Sequence, residues 1–567
     1  MGAGPLTAGA PDATPQIASP PRWKLSDALA PLTQGIVASG FASLPYGRAL
    51  LLAFRWTPDV LRGGDGAWLD ALFAVAPITS AARAARQTRA AALAFTCTGL
   101  TAMGLGGQAL ASFSRPFHEA MFQEDRARRL GDRRDSNWLE TVVDNGPGWS
   151  ANAPLRDPTK RSPDWIDAYD VRHDDPSEES VQTPLTVHAL LLLYTKSDAD
   201  AVAWSDQVRT ALAVVRVESV RELDLLLDVQ KQDSFSREHF GFADGLSQPV
   251  PYGATMPVDE SDCVRLNGED APKNPVQGVP LGEILLGYQN GHSEPAPGPV
   301  VARETSAKPT VAETRAAAAA AACLPIAPQA EGFADLGIHG SYLVVRELKQ
   351  DVAAFWTSLD ANAARIHEDD PSATQVDPLW LAERVIGRSI DGHLLCPGSY
   401  LKPDCYNQPD NEYLFSERDP HGAGCPPGSH VRRAFPRDAL APKPTADSRR
   451  ELLQAANNHR ILRRGRKYGG AIANNRVDDG VERGLLFMAL NTDIERQFEF
   501  VQQTWLLNTT FNTLYEETDP LLGPAGQQTL RGETMRRRVN VESYVKMAGG
   551  DYFFLPGVAA LDYLRRL

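Results

Sequence analysis

The run GLLFMALNTDIERQFEFVQQTW, residues 484–505, contains the local pattern on which the fold depends. Its first part is a short apolar stretch that is typical of a buried strand. Thr492 and Glu495 then have the spacing of a capping box, which marks the predicted start of a helix. One face of that helix carries four apolar residues: Ile494, Phe498, Val501 and Trp505. The run therefore predicts a strand followed by a helix that packs back on its sheet.

The same strand–helix pattern recurs twice more, at residues 185–208 and 341–356. Further apolar runs add four strand candidates: 35–41, 49–56, 283–288 and 552–555. Strands with helices on one face fit antiparallel or mixed sheets, so the sequence predicts an α+β fold in two similar halves with peripheral helices.

The composition of the chain argues against several classes of function. The chain has 567 residues, enough for two or more domains or for one fold enlarged by insertions. Its net charge of −14 argues against a general nucleic-acid binder. The six cysteines include no CxxC pair, and the first residues lack the basic and apolar regions of a secretory signal. We therefore expect a cytoplasmic protein. Residues 91–113 carry no charge, but their threonines and glycines favour a buried strand that turns into a helix over a membrane span.

Three segments that lack the strand–helix pattern divide the chain. Residues 1–24 are rich in proline, alanine and glycine and are expected to form a disordered lead. Residues 145–180 lack apolar periodicity and suggest a long loop inserted in the N-terminal half, 25–291. Residues 292–330 are a predicted connector or insertion, in which the alanine tract 316–322 favours a short surface helix. The C-terminal half is then 331–567.

Asp244 lies in the run EHFGFADGLSQP, residues 238–249, between Gly241 and Gly245. These glycines allow a sharp turn that presents the carboxylate towards a cavity. The same spacing also suits an aspartate that only caps a turn. From the residues alone, both interpretations stay open.

The basic run NHRILRRGRKY, residues 458–468, stands out in an acidic chain. A histidine beside guanidinium groups, here His459 with Arg464 among its neighbours, can ligate a metal centre whose periphery bears carboxylates, as haem propionates do. A solvated face or an RNA contact is the alternative.

A further arginine, Arg483, stands at the entrance of the apolar strand that begins at Gly484. Burial of its charge without a partner anion would be costly. Snorkelling at a strand end is the alternative. The run LGEILLGY, residues 281–288, suggests a purely structural strand between glycine turns.

Taken together, these segments resemble the dye-decolourising peroxidase family. GFADG (241–245) matches the family's GxxDG motif, HRILRRG (459–465) matches the segment of its proximal histidine, and RGLLF (483–487) matches its distal arginine segment. The similarity runs from about Ser26 to the C-terminus, interrupted by insertions, and is closest in form to the longer, advanced subgroups. It extends through these additional runs: 93–105, 126–132, 282–288, 340–356 and 551–557. Leu485 stands where some members carry an asparagine.

The resemblance implies a pair of ferredoxin-like halves of the dimeric α+β barrel type. The half at 25–291 would carry the GxxDG motif, and the half at 331–567 would bind one haem b per chain. His459 would be the proximal iron ligand, with Glu542 as the acidic partner of its other ring nitrogen. Arg464 would be a further haem contact.

The same resemblance implies a haem peroxidase that reduces hydrogen peroxide to water and oxidises dyes, phenols or similar donors through an oxyferryl intermediate. Asp244 would carry the peroxide proton, and Arg483 would stabilise the negative charge that develops as the O–O bond breaks. The expected partners are hydrogen peroxide and small aromatic reductants, without nucleic acid or membrane, and a homo-oligomer is compatible with the pattern. A carboxylate base stays ionised in acid, so dye oxidation is expected to be best below neutral pH.

Two other functions stay open from the sequence. One is a haem-binding or iron-releasing module with little peroxide turnover. The other is a protein without haem that uses the basic run from Arg460 to Lys467 to contact RNA. A Soret band would exclude the RNA-binding protein, and peroxide-dependent oxidation of a dye would separate the peroxidase from the haem-binding module.

Overall fold

The central feature of the computed structural model is an antiparallel sheet of nine strands. In chain order the strands are β1 (Tyr46–Phe54), β2 (Arg89–Phe95), β3 (Ala189–Thr195), β4 (Val217–Leu226), β5 (Ser341–Gln350), β6 (Leu462–Arg463), β7 (Arg466–Tyr468), β8 (Gly484–Asn491) and β9 (Val545–Leu555). Across the sheet their order is β5-β9-β2-β3-β1-β4-β7-β8-β6, and β8 also pairs with β5, so that the sheet closes on itself.

The structure describes most of the chain, in the following ranges: 23–55, 65–83, 87–134, 137–151, 185–228, 236–252, 255–257, 263–266, 269–272, 276–395, 411, 413–441, 445–531 and 536–567. Most of the predicted lead (1–24) and of the predicted loop at 145–180 lies outside these ranges. Trp23–Leu25, at the end of the predicted lead, forms a strand that pairs with Thr255–Pro257.

Helices pack against the sheet. The main helices are α1 (Trp68–Val75), α2 (Asp198–Val214), α3 (Val311–Cys323), α4 (Val352–Asp369), α5 (Pro378–Ile386), α6 (His430–Ala434), α7 (Ala446–Asn457) and α8 (Val558–Arg565). Three of them, α2, α4 and α5, follow an N-cap residue whose side chain accepts the backbone N–H three residues further on: Ser197, Asp351 and Asp377 respectively.

Shorter elements connect these. The other α-helices are Gly35–Ala38, Cys97–Ala102, Gly107–Ala111, Arg115–Glu119, Glu124–Arg129 and Phe415–Arg418, and the 3-10 turns are Ala30–Leu32, Asp65–Ala67, Leu281–Glu283 and Phe511–Thr513. The other strands are Trp23–Leu25, Arg133–Arg134, Asn137–Trp138, Trp149–Ser150, Leu185–Thr186, Ser236–Arg237, Ala243–Asp244, Val250–Tyr252, Thr255–Pro257, Cys263–Leu266, Glu269–Pro272, Gly278–Pro280, Val300–Ala302, Phe333–Asp335, Gly526–Arg531 and Arg536–Val541.

One connectivity occurs twice along the chain. The first unit is β1-α1-β2-β3-α2-β4, and the second is β5-α4-β6/β7-β8-helix-β9, in which the helix after β8 winds as two π-helical segments, Glu495–Glu499 and Val501–Leu506. In each unit the first strand lies between the third and the fourth. The predicted α+β class is confirmed.

Both faces of the large sheet are buried. Leu50 and Leu52 belong to one apolar cluster, whereas Ala49 and Leu51, which alternate with them along β1, belong to a second cluster on the other face. Strands buried on both faces have continuous apolar sequences rather than alternating ones. This accounts for the unbroken leucine run of β3, and full burial of each such side chain contributes about 1.5–3 kcal/mol.

Several local predictions were wrong. The predicted strand at 35–41 is instead the short helix Gly35–Ala38. The predicted strand at 283–288 is a 3-10 turn followed by further turns, and the left-handed φ of 89° at Gly287 is not compatible with a regular strand. The predicted capping box at Thr492 is replaced by Asp493, whose carboxylate accepts the Arg496 N–H at 3.0 Å.

The helix predicted in the alanine tract is confirmed as part of α3, which begins with a capping box formed by Thr310 and Glu313. In the described part of the chain, we find no helix with the length and apolar character needed to cross a bilayer.

Candidate active site

Asp244 ends a short strand at the turn that its glycines predict. Gly241 and Gly245 have φ values of 103° and 78°, a region that glycine enters without steric cost. The Asp244 carboxylate accepts the Gly245 N–H at 2.6 Å, yet 45% of the side chain stays exposed. The turn therefore presents a carboxylate that is accessible from outside the turn.

Arg463, in β6, is the arginine that the fold brings to Asp244. Its Nη2 lies 3.8 Å from the Asp244 carboxylate and 3.5 Å from the Ser247 carbonyl. The Gln248 side chain accepts the Arg463 N–H at 3.1 Å and donates to the Arg463 carbonyl at 3.3 Å. These bonds join the Asp244 segment to β6 and hold the acid–arginine pair together.

His430, the first residue of α6, lies near this pair. Its Nδ1 lies 3.0 Å from the buried carboxylate of Asp519, which also accepts the backbone N–H groups of Leu521 and Leu522. Burial acts to lower the pKa of His430, but Asp519 outweighs it and the net direction is upward; the charges of Arg463 and Asp244 also reach the ring. With Nδ1 on Asp519, Nε2 is the nitrogen available to a metal, and the carboxylate fixes the ring orientation.

His430 and Asp519 were missed by the sequence analysis. His430 lies in the run CPPGSHVRRAFPR, residues 425–437, where a histidine begins a helix rich in arginine. That combination was a usable signal, comparable to the one around His459. Asp519 stands 89 residues further along the chain and carries no local signal of its own.

Arg483 does not meet Asp244, contrary to the prediction. Its Nη2 forms an ion pair with Asp479 at 2.7 Å, and its Nε donates to the Gly470 carbonyl at 3.0 Å. The loop before β8 therefore neutralises this buried arginine locally, and Arg463, not Arg483, is the arginine that lies beside Asp244.

His459 lies in an aromatic setting. Its ring stacks on Phe500 with centroids 3.7 Å apart and meets Trp505 edge-on. Nδ1 contacts the Arg496 carbonyl at 2.5 Å, and burial lowers the pKa of the imidazole. The predicted acidic partner, Glu542, is instead an exposed residue that follows the strand Arg536–Val541.

Arg464 also differs from its predicted role, because its guanidinium donates to backbone carbonyls. Its guanidinium donates to the carbonyls of Ile36 and Val37 at 2.7 and 2.6 Å and to that of Arg463 at 3.1 Å. These bonds fasten the short helix Gly35–Ala38 to β6. The predicted haem contact is thus a structural arginine.

The surroundings of Arg460 indicate whether the site suits an anionic cofactor. It is buried, its guanidinium lies over the Phe435 ring at 3.8 Å, and Nη2 donates to Gln277 at 2.9 Å. Nη1 has no hydrogen-bond partner, and no ion pair joins Arg460 to an acid among the described residues. Burial, with the charges of Arg437 and Arg463, lowers its pKa well below the usual value. A buried cation without a counter-ion suits a ligand carboxylate, so the residues fit a haem and its propionates.

No family model matches the chain. The chain is 24% identical over 513 residues to "Peroxidase 2" of Mycetinis scorodonius, an alignment that covers 84% of this chain and 77% of that protein. It is 26% identical over 407 residues to "Dye-decolorizing peroxidase msp1" of the same organism, covering 66% and 65%. The fold is similar to that of a solved dye-decolorizing peroxidase in complex with 2,6-dimethoxyphenol, with a TM-score of 0.62 and 21% identity over 95% of this chain and 99% of that one.

Proposed function

We propose that this chain is a haem peroxidase of the dye-decolourising family, which reduces hydrogen peroxide to water while it oxidises dyes and phenols, and its similarity to dye-decolorizing peroxidases over most of the chain supports this. The observation that carries this proposal is the meeting of Asp244, Arg463 and the His430–Asp519 pair from distant parts of the chain. A proton acceptor, a fixed positive charge and an oriented imidazole are the groups that peroxide cleavage at a haem requires.

The proposed cofactor is haem b, one per chain. His430 would hold the iron through Nε2, and Asp519 would orient the ring and make it more electron-donating. Arg460, with Arg437 beside it, would pair with the propionates. When bound, the haem supplies the redox-active iron; the protein supplies the charges and the proton carrier around it.

Asp244 acts as the proton carrier. Its carboxylate accepts one proton of hydrogen peroxide and returns it to the departing oxygen, which leaves as water. Arg463 provides positive charge where negative charge develops on that oxygen. In total, hydrogen peroxide takes two protons and two electrons to give two waters, and two molecules of phenol or dye each supply one electron.

The division into two ferredoxin-like halves is part of the same proposal. It is supported by the repeated β-α-β-β-α-β connectivity and by the position of the first strand between the third and fourth in each unit. The GxxDG turn follows the first unit, and His430 and Arg463 belong to the second. The site would then form where the two halves meet.

The proposed function is tested by loading the protein with haem and mixing it with hydrogen peroxide and either 2,6-dimethoxyphenol or an anthraquinone dye. We expect a Soret band and catalytic turnover that needs both haem and peroxide. The haem-free protein is the control. A protein that binds haem stably but does not turn over either donor would instead be a haem-binding module.

A further inference from the structure

Glu238 accepts three hydrogen bonds just before the Asp244 turn. Oε2 accepts the Phe240 N–H at 2.8 Å and the Gln350 side-chain amide at 2.7 Å, and Oε1 accepts the Phe242 N–H at 2.8 Å. Gln350 is the last residue of β5. One carboxyl group therefore ties the segment that leads to Asp244 to the central sheet.

These bonds fix the backbone from which Asp244 projects. The Phe242 carbonyl accepts the Glu238 N–H at 3.1 Å, so the loop closes on itself two residues before Asp244. The Phe240 ring stacks on Phe355 of α4 with centroids 4.4 Å apart. With both phenylalanines held, the direction in which the turn presents Asp244 depends on the bonds to Glu238.

The environment of Glu238 accommodates both of its protonation states. Burial raises the pKa of Glu238 to about 7, against the lowering effect of its hydrogen bonds, and the charge of Asp244 adds to the rise. Other charged groups on the neighbouring elements have partners of their own: Arg237 pairs with Asp391, Arg483 pairs with Asp479, and Asp351 caps α4.

Gln350 supplies the acceptor that a protonated Glu238 needs. Its side-chain oxygen is buried and has no hydrogen-bond partner in the structure. Half a turn of the amide exchanges its oxygen with Nε2, which places that oxygen 2.7 Å from Oε2. The amide can therefore donate to the carboxylate or accept from the acid without any movement of the backbone.

We propose that Glu238, acting with Gln350, is a positioning residue for Asp244 that can hold the turn both as a protonated acid and as a carboxylate. This inference rests on the proposed function, in which Asp244 carries the peroxide proton. Ionised Glu238 adds a second negative charge beside a site where negative charge must develop. The reaction with peroxide should therefore slow as the pH rises through about 7.

The test uses the haem-loaded protein and stopped-flow measurement of its reaction with peroxide across the pH range. Glu238→Gln keeps the bonds to Phe240 and Gln350 through its amide oxygen but loses the bond from the Phe242 N–H, which an amide nitrogen cannot accept. It also cannot ionise, so we expect a lower rate in acid than in the wild type and no decrease near neutral pH. Glu238→Ala should slow the reaction roughly 10²-fold at every pH, with unchanged haem content, because Asp244 is no longer held. Asp335→Asn is the matched control, since the pKa of Asp335 is also raised by burial and its carboxylate also accepts backbone N–H groups, those of Ile338 and Gly337.

Infrared spectroscopy keeps the inference separate from the proposed function. The wild type should show a protonated carboxyl band that disappears as the pH rises through about 7 and that is missing in Glu238→Gln, whether or not peroxide reacts. If this band is present but the wild type does not react with peroxide, the proposed function fails. A decrease near neutral pH that persists in Glu238→Gln, or a wild-type rate in Glu238→Ala, would overturn the role of Glu238.

Discussion

Replacing Arg463 by leucine should slow the reaction with peroxide about 100-fold while haem stays bound. The Arg463 guanidinium lies 3.8 Å from the Asp244 carboxylate. At about this distance two unit charges interact with about 1 kcal/mol in water and about 4 kcal/mol at an effective dielectric constant of 20. The side chains are 32% and 45% exposed, so the resting pair lies towards the lower value. An interaction with charge that develops only in the transition state contributes more free energy. Loss of one donor that makes such an interaction typically lowers the rate about 10²–10³-fold.

A factor of 100 corresponds to about 2.7 kcal/mol, which lies between the two Coulomb values. Stopped-flow absorbance of the haem-loaded protein measures the second-order rate constant directly. Arg483→Leu is the matched control, because that guanidinium pairs with Asp479 and should leave the rate within about twofold of the wild type. A 100-fold loss in Arg483→Leu with a normal rate in Arg463→Leu would refute the assignment of the distal arginine.

Three further substitutions test other parts of the account. Asp244→Asn should bind haem normally and lose most dye oxidation at every pH, because an amide cannot accept the peroxide proton; a near wild-type rate in acid would make Asp244 only a turn cap. Arg460→Gln should weaken haem retention by about tenfold or more, as expected when a charged hydrogen bond is lost, and transfer of haem to apomyoglobin measures this; unchanged transfer would remove Arg460 from the cofactor site. Asp132→Ala should lower the free energy of unfolding by about 3–5 kcal/mol in urea denaturation, because it leaves the buried Arg346 without the carboxylate that it contacts at 2.5 Å in the wild type. A loss below about 1 kcal/mol would contradict this.

The sequence predicted what local periodicity can specify. The strand and helix at 484–505 form as predicted because apolar spacing alone decides which face is buried, although the helix winds as π-helical segments. The Asp244 turn was predictable because left-handed backbone at Gly241 and Gly245 has a clear residue preference.

The basic run 458–468 shows why the site was only partly predictable. Arg463 and Arg464 are adjacent, and successive side chains of an extended chain point to opposite sides, so one reaches Asp244 while the other binds the carbonyls of Ile36 and Val37. Periodicity does not say which side faces the site. That choice depends on long-range pairing of β6 with β8.

The choice of histidine depended on tertiary structure in the same way. His430 and His459 each stand within two residues of an arginine in the sequence. Only the fold places Asp519 against His430 and Phe500 against His459, so the sequence around each histidine did not distinguish them.

The most direct test compares the absorption spectra and haem content of His430→Ala and His459→Ala. His430→Ala should lose stable haem binding and the wild-type iron spectrum, and added imidazole should restore that spectrum by filling the space of the missing ring. His459→Ala should keep both properties, since its ring packs against Phe500 and contacts the Arg496 carbonyl. Wild-type haem content and spectrum in His430→Ala, with their loss in His459→Ala, would contradict the assignment of His430 as the iron ligand.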